Sequence, residues 1–183
     1  MQQPVPVSPD SIVPSIDDAS EFPMSGTSDT LVIRLLGGFQ ITVGTRDVPA
    51  TAWRLRKAGH LVKLLALAPG YQLHRERIQD TLWPDLPPES AANNLRVTLH
   101  AARRALTIDD GVSTIRQHGD LITLGGDRPI SVDVTEFEQA ADAALDACGP
   151  DPLHKALALY HGDLLPEDRF DGWVIERRDR LRE

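Results

Sequence analysis

The sequence predicts an α+β fold in which a small β-sheet and a β-hairpin enclose a group of three helices, with helices alone thereafter. Three observations carry this expectation. Short apolar runs broken by glycine occupy residues 31–48, partly with period-2 alternation. A period of 3.6 dominates residues 52–106 and gives way to a hairpin pattern at 113–124. From residue 133 onward only helical patterns recur.

Size and composition fit this scheme. With 183 residues and 41% hydrophobic content, the chain can form one domain of ordinary size plus part of another. No apolar run approaches a membrane span, and the amino terminus has no secretory pattern. A lone Cys148 cannot form an internal disulfide, which fits a reducing cytoplasm. The net charge of −8 divides unevenly. Residues 1–30 carry −5 with no Lys or Arg, residues 31–106 carry +6, and residues 107–183 carry −9. One basic module inside an acidic chain points to an anionic partner for that module alone.

Residues 1–29, rich in Pro, Ser and Asp, show no period and are expected to form a disordered arm. Leu31–Leu36 and Phe39–Val43 read as strands around a Gly37-Gly38 turn, and Gly44–Asp47 turns into a short third strand near Val48. Gly37-Gly38 lacks the third glycine, the following helix and the Lys-Ser/Thr pair of a phosphate loop. A helix is expected from about Ala52 to Ala68, ended by Pro69-Gly70, with Arg54, Arg56 and Lys57 at its start. Cations are unfavourable at that end of the helix dipole, so a phosphate backbone or plain solvent are the candidate partners for them. Gln72-Leu73 can pair briefly as a strand before a short helix, His74–Trp83, although His74 is a poor cap. Pro84 and Pro87-Pro88 then break the chain.

Pro88–Leu106 reads as one helix of about five turns, with Pro88 suited to the first helical position. Leu95, Leu99, Ala102 and Leu106 form its apolar stripe. The other face carries Ser90, Asn93, Val97, His100, Ala101 and Arg104, flanked by Asn94, Arg96 and Arg103, with no carboxylate after Glu89. A solvated face normally mixes both signs. Amides, guanidinium groups and a small apolar side chain are what adenine, guanine and the thymine methyl accept in the major groove. The plain alternative is an amphipathic helix with a cationic outer face.

Ser113–Arg116 and Leu121–Leu124 alternate around His118-Gly119-Asp120. A helix-turn-helix followed by such a hairpin is the order of a winged helix. Asp133–Ala147, Asp151–Tyr160 and Trp173–Arg182 are helical, too few to close a core of their own, and read as the opening of a helical-repeat array of tetratricopeptide-like type.

These residues carry a family resemblance. Leu82-Trp83-Pro84-Asp85 and Asn94–Leu106, behind the opening strands, resemble the OmpR-type winged-helix DNA-binding domain. Asp133–Glu138, Ala156–Leu165 and Trp173–Leu181 resemble the start of the bacterial transcriptional activator domain. Together they resemble the antibiotic regulatory proteins of actinomycetes, and the match spans roughly Leu31 to Glu183. The resemblance implies an arm at 1–29, a winged helix at 30–127 and a shortened activator domain at 128–183. It implies a cytoplasmic, nucleoid-associated activator of transcription whose recognition helix, 88–106, binds double-stranded operator DNA, with direct repeats, a homodimer on DNA, and RNA polymerase or its sigma factor as partners. Asn93, Asn94, Val97, Thr98, His100, Arg103 and Arg104 would lie at or near the DNA, and Arg116 in the wing. The chain departs from the family at Ala101 and Ala102, where Arg and Leu are common, which weakens reading at Ala101 and thins the core stripe at Ala102.

Two other functions compete. A winged helix that has lost DNA affinity would serve as a protein-interaction module. An enzyme has less support. The six histidines have no zinc spacing, Asp163, Glu167, Asp168 and Asp171 do not match a calcium loop, and no nucleophile–base pair is visible. No cofactor or metal is expected, and no membrane association.

Overall fold

The computed structural model describes residues 30–107, 113–147 and 150–182. The arm at 1–29, the acidic stretch at 108–112 and Cys148 lie outside the described residues.

The chain opens with β1 (Leu31–Arg34), β2 (Gln40–Val43) and β3 (Arg46–Asp47). Alternation puts Leu31, Ile33, Ile41 and Val43 on the buried face, and the antiparallel register sets Ile33 opposite Ile41 and Leu31 opposite Val43. The turn between β1 and β2 needs Gly37, whose φ is +82° and where a Cβ would sit 2.8 Å from the His161 carbonyl. The third strand comes one residue earlier than expected, because Val48 turns inward and its N–H donates to the Ile41 carbonyl.

Three helices follow: α1 (Arg56–Ala66), α2 (Arg75–Leu82) and α3 (Pro88–Leu106). The first starts four residues later than the period suggested. Ala50–Ala52 form a 3-10 turn instead, Leu55 is extended, and the Trp53 ring packs on Phe39 with centroids 5.3 Å apart. Neither Leu55 nor His74 makes a side-chain cap. The third helix has the expected limits, with Pro88 in its first turn.

The hairpin is β5 (Ile115–His118) with β6 (Leu121–Leu124), and the strand preceding α2, β4 (Gln72–His74), pairs with β6 to give the order β4-β6-β5. A strand the sequence reading missed, β7 (Ile130–Val132), lies parallel to β1 with Ile33 opposite Val132, so the first sheet runs β3-β2-β1-β7. The first sheet, the three helices and the second sheet with its hairpin make this an α+β winged helix.

The last helices are α4 (Asp133–Asp146), α5 (Pro150–Leu159) and α6 (Gly172–Arg182). The Asp133 carboxylate accepts from the N–H groups of Leu35, Leu36 and Val134, tying the end of β1 to the start of α4. Burial pushes its pKa up, against those three donors, which pull it down. Residues 163–165 continue the link, with the Gly37 N–H on the Asp163 carbonyl and the Leu165 N–H on the Leu35 carbonyl, both 2.9 Å. Leu164, Leu165, Val174 and Leu181 join Leu61, Leu65 and Ile33 in one core, so residues on both sides of the expected boundary at 127/128 contribute to it. No helix among the described residues is long and apolar enough to cross a membrane.

Candidate nucleic-acid interface

The apolar stripe of α3 fixes which side chains look outward. Ala91, Leu95, Leu99, Ala102 and Leu106 are buried against the scaffold, leaving Asn93, Arg96, Val97, His100 and Arg104 exposed along the opposite side. Positions 93, 97, 100 and 104 fall at i, i+4, i+7 and i+11, one row along the helix. Val97 stands out in it, 55% exposed among amide, imidazole and guanidinium groups. Asn94 is half-buried at the edge of the row.

Thr98 does not belong to this surface. It is 1% exposed and faces the scaffold, so its place near DNA is corrected: the helical period that exposes Val97 turns its neighbour inward. Arg103 is half-buried and its Nε donates to the Ile115 carbonyl at 3.0 Å, which fixes the base of the wing against α3. Arg116 is half-exposed but both its terminal nitrogens pair with the Asp127 carboxylate, so its charge is largely answered within the wing. Arg54 is exposed in the segment leading into α1.

Arg56 keeps a 75% exposed side chain at the start of α1, beside an intramolecular polar cluster. Its Nε donates to His60 Nε2 at 3.3 Å, and its Nη2 lies 3.8 Å from Asp168 and 3.9 Å from Asp171. Of the three helix-start cations, Arg56 thus lies beside an intramolecular acidic group, the loop before α6. Lys63, 4% exposed, pairs there with Asp168 and, at 2.9 Å, with Glu167. His60 Nε2 is 3.3 Å from Asp168. His60, Asp168 and Asp171 bring metal-ligand atoms within 4.8 Å of one another. Lys63 already pairs with Asp168, so a divalent ion would have to displace it, and the cluster acts as a polar clamp between α1 and the C-terminal segment. Burial is the largest influence on the His60 pKa and lowers it, with Lys63 and Lys57 acting the same way and Asp168 and Asp171 opposing.

One feature went unread in the sequence. Between α3, the start of α2 and the wing lies a hollow of about 190 Å³, lined by Arg75, Arg96, Arg103 and Gln117 over Ala92, Leu95 and Leu99. Arg75, Arg96 and Arg103 all line it, and among the described residues only Arg75 of the three has an acidic neighbour, Asp120 at 3.5 Å. The Arg75 N–H also donates to the Asp120 carbonyl at 2.7 Å, holding the hairpin turn beside α2. Such a site suits an anion. It was illegible because Arg75 and Gln117 reach it only through the pairing of β4 with β6 and of β6 with β5.

No family model matches the sequence, and no curated protein matches it. Among solved structures the chain is similar to Mycobacterium tuberculosis EmbR, in a complex with a low-affinity phosphopeptide. The TM-score is 0.63 at 21% identity, over 82% of this chain and 41% of that one. The two share a fold. The chain therefore spans less than half of the EmbR chain, and the likeness extends to architecture alone.

Proposed function

We propose that the chain is a sequence-specific DNA-binding regulator of transcription, with α3 in the major groove and the hairpin against the neighbouring backbone or minor groove. The carrying observation is the exposed row Asn93, Arg96, Val97, His100 and Arg104, free of carboxylates and adjoining a hollow ringed by three arginines. In this reading Asn93, Val97, His100 and Arg104 face base edges, while Arg75, Arg96 and Arg103 hold phosphates. The family resemblance supports an activator that binds repeated operator sites as a homodimer, contacts RNA polymerase or its sigma factor and works in the cytoplasm, with the winged helix at 30–127 and the start of an activator domain at 128–183. It offers no support for catalysis.

Selection from random duplexes, followed by titration of the selected site, tests the reading. Arg104→Ala should weaken the selected duplex more than random DNA, by roughly 1–3 kcal/mol of discrimination. Arg75→Ala should weaken both alike and reduce the salt slope by about one. Absence of binding to every duplex overturns the proposal. The runner-up, a protein-interaction module, draws on the exposed Leu145, Leu153, Leu157 and Phe170 of the C-terminal segment. It predicts a protein partner retained when Arg75 and Arg104 are both replaced.

A further inference from the structure

We propose that Asp127 is a latch on the wing: it holds the Arg116 guanidinium in the free protein, and Arg116 exchanges this carboxylate for a DNA phosphate when a duplex binds. The inference rests on the DNA-binding reading and adds to it a residue that sets how strongly the wing grips any duplex.

The pair itself gives the first argument. Arg116 and Asp127 meet fork to fork, with Nη1 donating to Oδ1 at 2.6 Å and Nη2 donating to Oδ2. A phosphate offers a guanidinium group the same two-oxygen acceptor as a carboxylate, so one can replace the other without a new geometry. Both side chains lie in solvent, Arg116 51% and Asp127 67% exposed, so the exchange opens no core. An exposed pair is weak, whereas a duplex gains by shedding the counterions around its phosphates. The duplex therefore wins Arg116, at a cost set by Asp127.

The backbone gives the second. The Gly125 N–H donates to the Thr114 carbonyl at 2.8 Å and the Arg128 N–H to the Gly125 carbonyl at 2.9 Å, folding residues 125–128 back on the entry to β5. At Gly126, where φ is +61°, a Cβ would collide with the Ser113 carbonyl, so the turn closes this tightly only with glycine. Asp127 is thus held beside Arg116 by the fold. Alternation along β5 puts Arg116 on the face opposite Gln117, which lines the arginine hollow. Arg116 offers its charge on a different side of the wing from Arg75, Arg96 and Arg103.

Four proteins test the exchange, each as the full chain: the parent, Asp127→Asn, Arg116→Ala and the double variant. Each is titrated on a random-sequence duplex by fluorescence anisotropy at several salt concentrations. With Arg116 in place, Asp127→Asn is expected to tighten binding about five-fold at low salt. It should also steepen the salt slope by about one, because no vacated carboxylate recaptures a counterion. In the Arg116→Ala background the same change should give a smaller gain, about two-fold, from removing one negative charge near the duplex. A gain that is equal or larger without Arg116 shows that Asp127 merely repels DNA, or that the pair survives in the complex, and overturns the proposal. So does the absence of any gain. If none of the four binds a duplex, the DNA-binding reading falls and this inference with it, whereas equal gains remove the latch alone.

Discussion

His60 shows how one buried imidazole can make stability depend on pH. It is 4% exposed on α1, facing Arg56, Lys57 and Lys63 of its own helix and Asp168 and Asp171 of the loop before α6, with the Trp173 ring centroid 6.1 Å away. Burial dominates and holds its pKa below the ordinary 6.5. Below pH 6.5 the unfolded chain binds the proton first, so the contribution of neutral His60 is complete above that value and is lost as pH falls through the lower folded-state pKa. The urea midpoint of the parent should therefore decline from pH 6.5 downward, and His60→Gln should flatten that first part of the curve. Parallel curves for parent and variant would remove His60 as the cause.

At the scale of the element, α3 combines a reading surface with a tightly filled underside. Ala102 is wholly buried between Leu99 and Leu106 on the core side. A leucine there should overfill this packing: Ala102→Leu is expected to cost about 1–3 kcal/mol by urea denaturation. A neutral or stabilising result would mean space exists beneath the helix. The limits of α3 were legible because a proline start and a sustained leucine stripe agree over nineteen residues. The strand Ile130–Val132 was not, since three residues are too few to display a period and its partner lies near residue 33. The Lys63–Asp168 clamp was hidden for the same reason, its members 105 positions apart. Thr98 was misplaced because a polar residue on the groove side and one facing the scaffold look alike until the helix's rotation is fixed.

Across the whole molecule, the C-terminal segment and the winged helix are held by apolar packing and by buried charge together. Arg178, buried in α6, donates to the carbonyls of Leu164 and Leu165 at 2.8 Å and so shapes the loop that presents Asp168 to Lys63. Loss of one partner from a buried ion pair strands the other. Lys63→Ala should lower stability by about 3–5 kcal/mol. Because the core is shared, far-UV circular dichroism and the fluorescence of Trp53, Trp83 and Trp173 should report one coincident transition in parent and variant. Separate transitions would show that the two parts melt independently.

The parallel pairing of Leu31–Ile33 with Ile130–Val132 bears on biosynthesis. Nearly a hundred residues separate β1 from β7, and at about 5–20 residues per second the ribosome needs roughly 5–20 s to supply the second after the first. Until then Leu31 and Ile33 have β2 on one flank and an open edge on the other, the geometry that invites pairing with a foreign strand. The nascent chain is thus most exposed to misassociation before β7 emerges, and a chaperone that shields that edge would act in this interval.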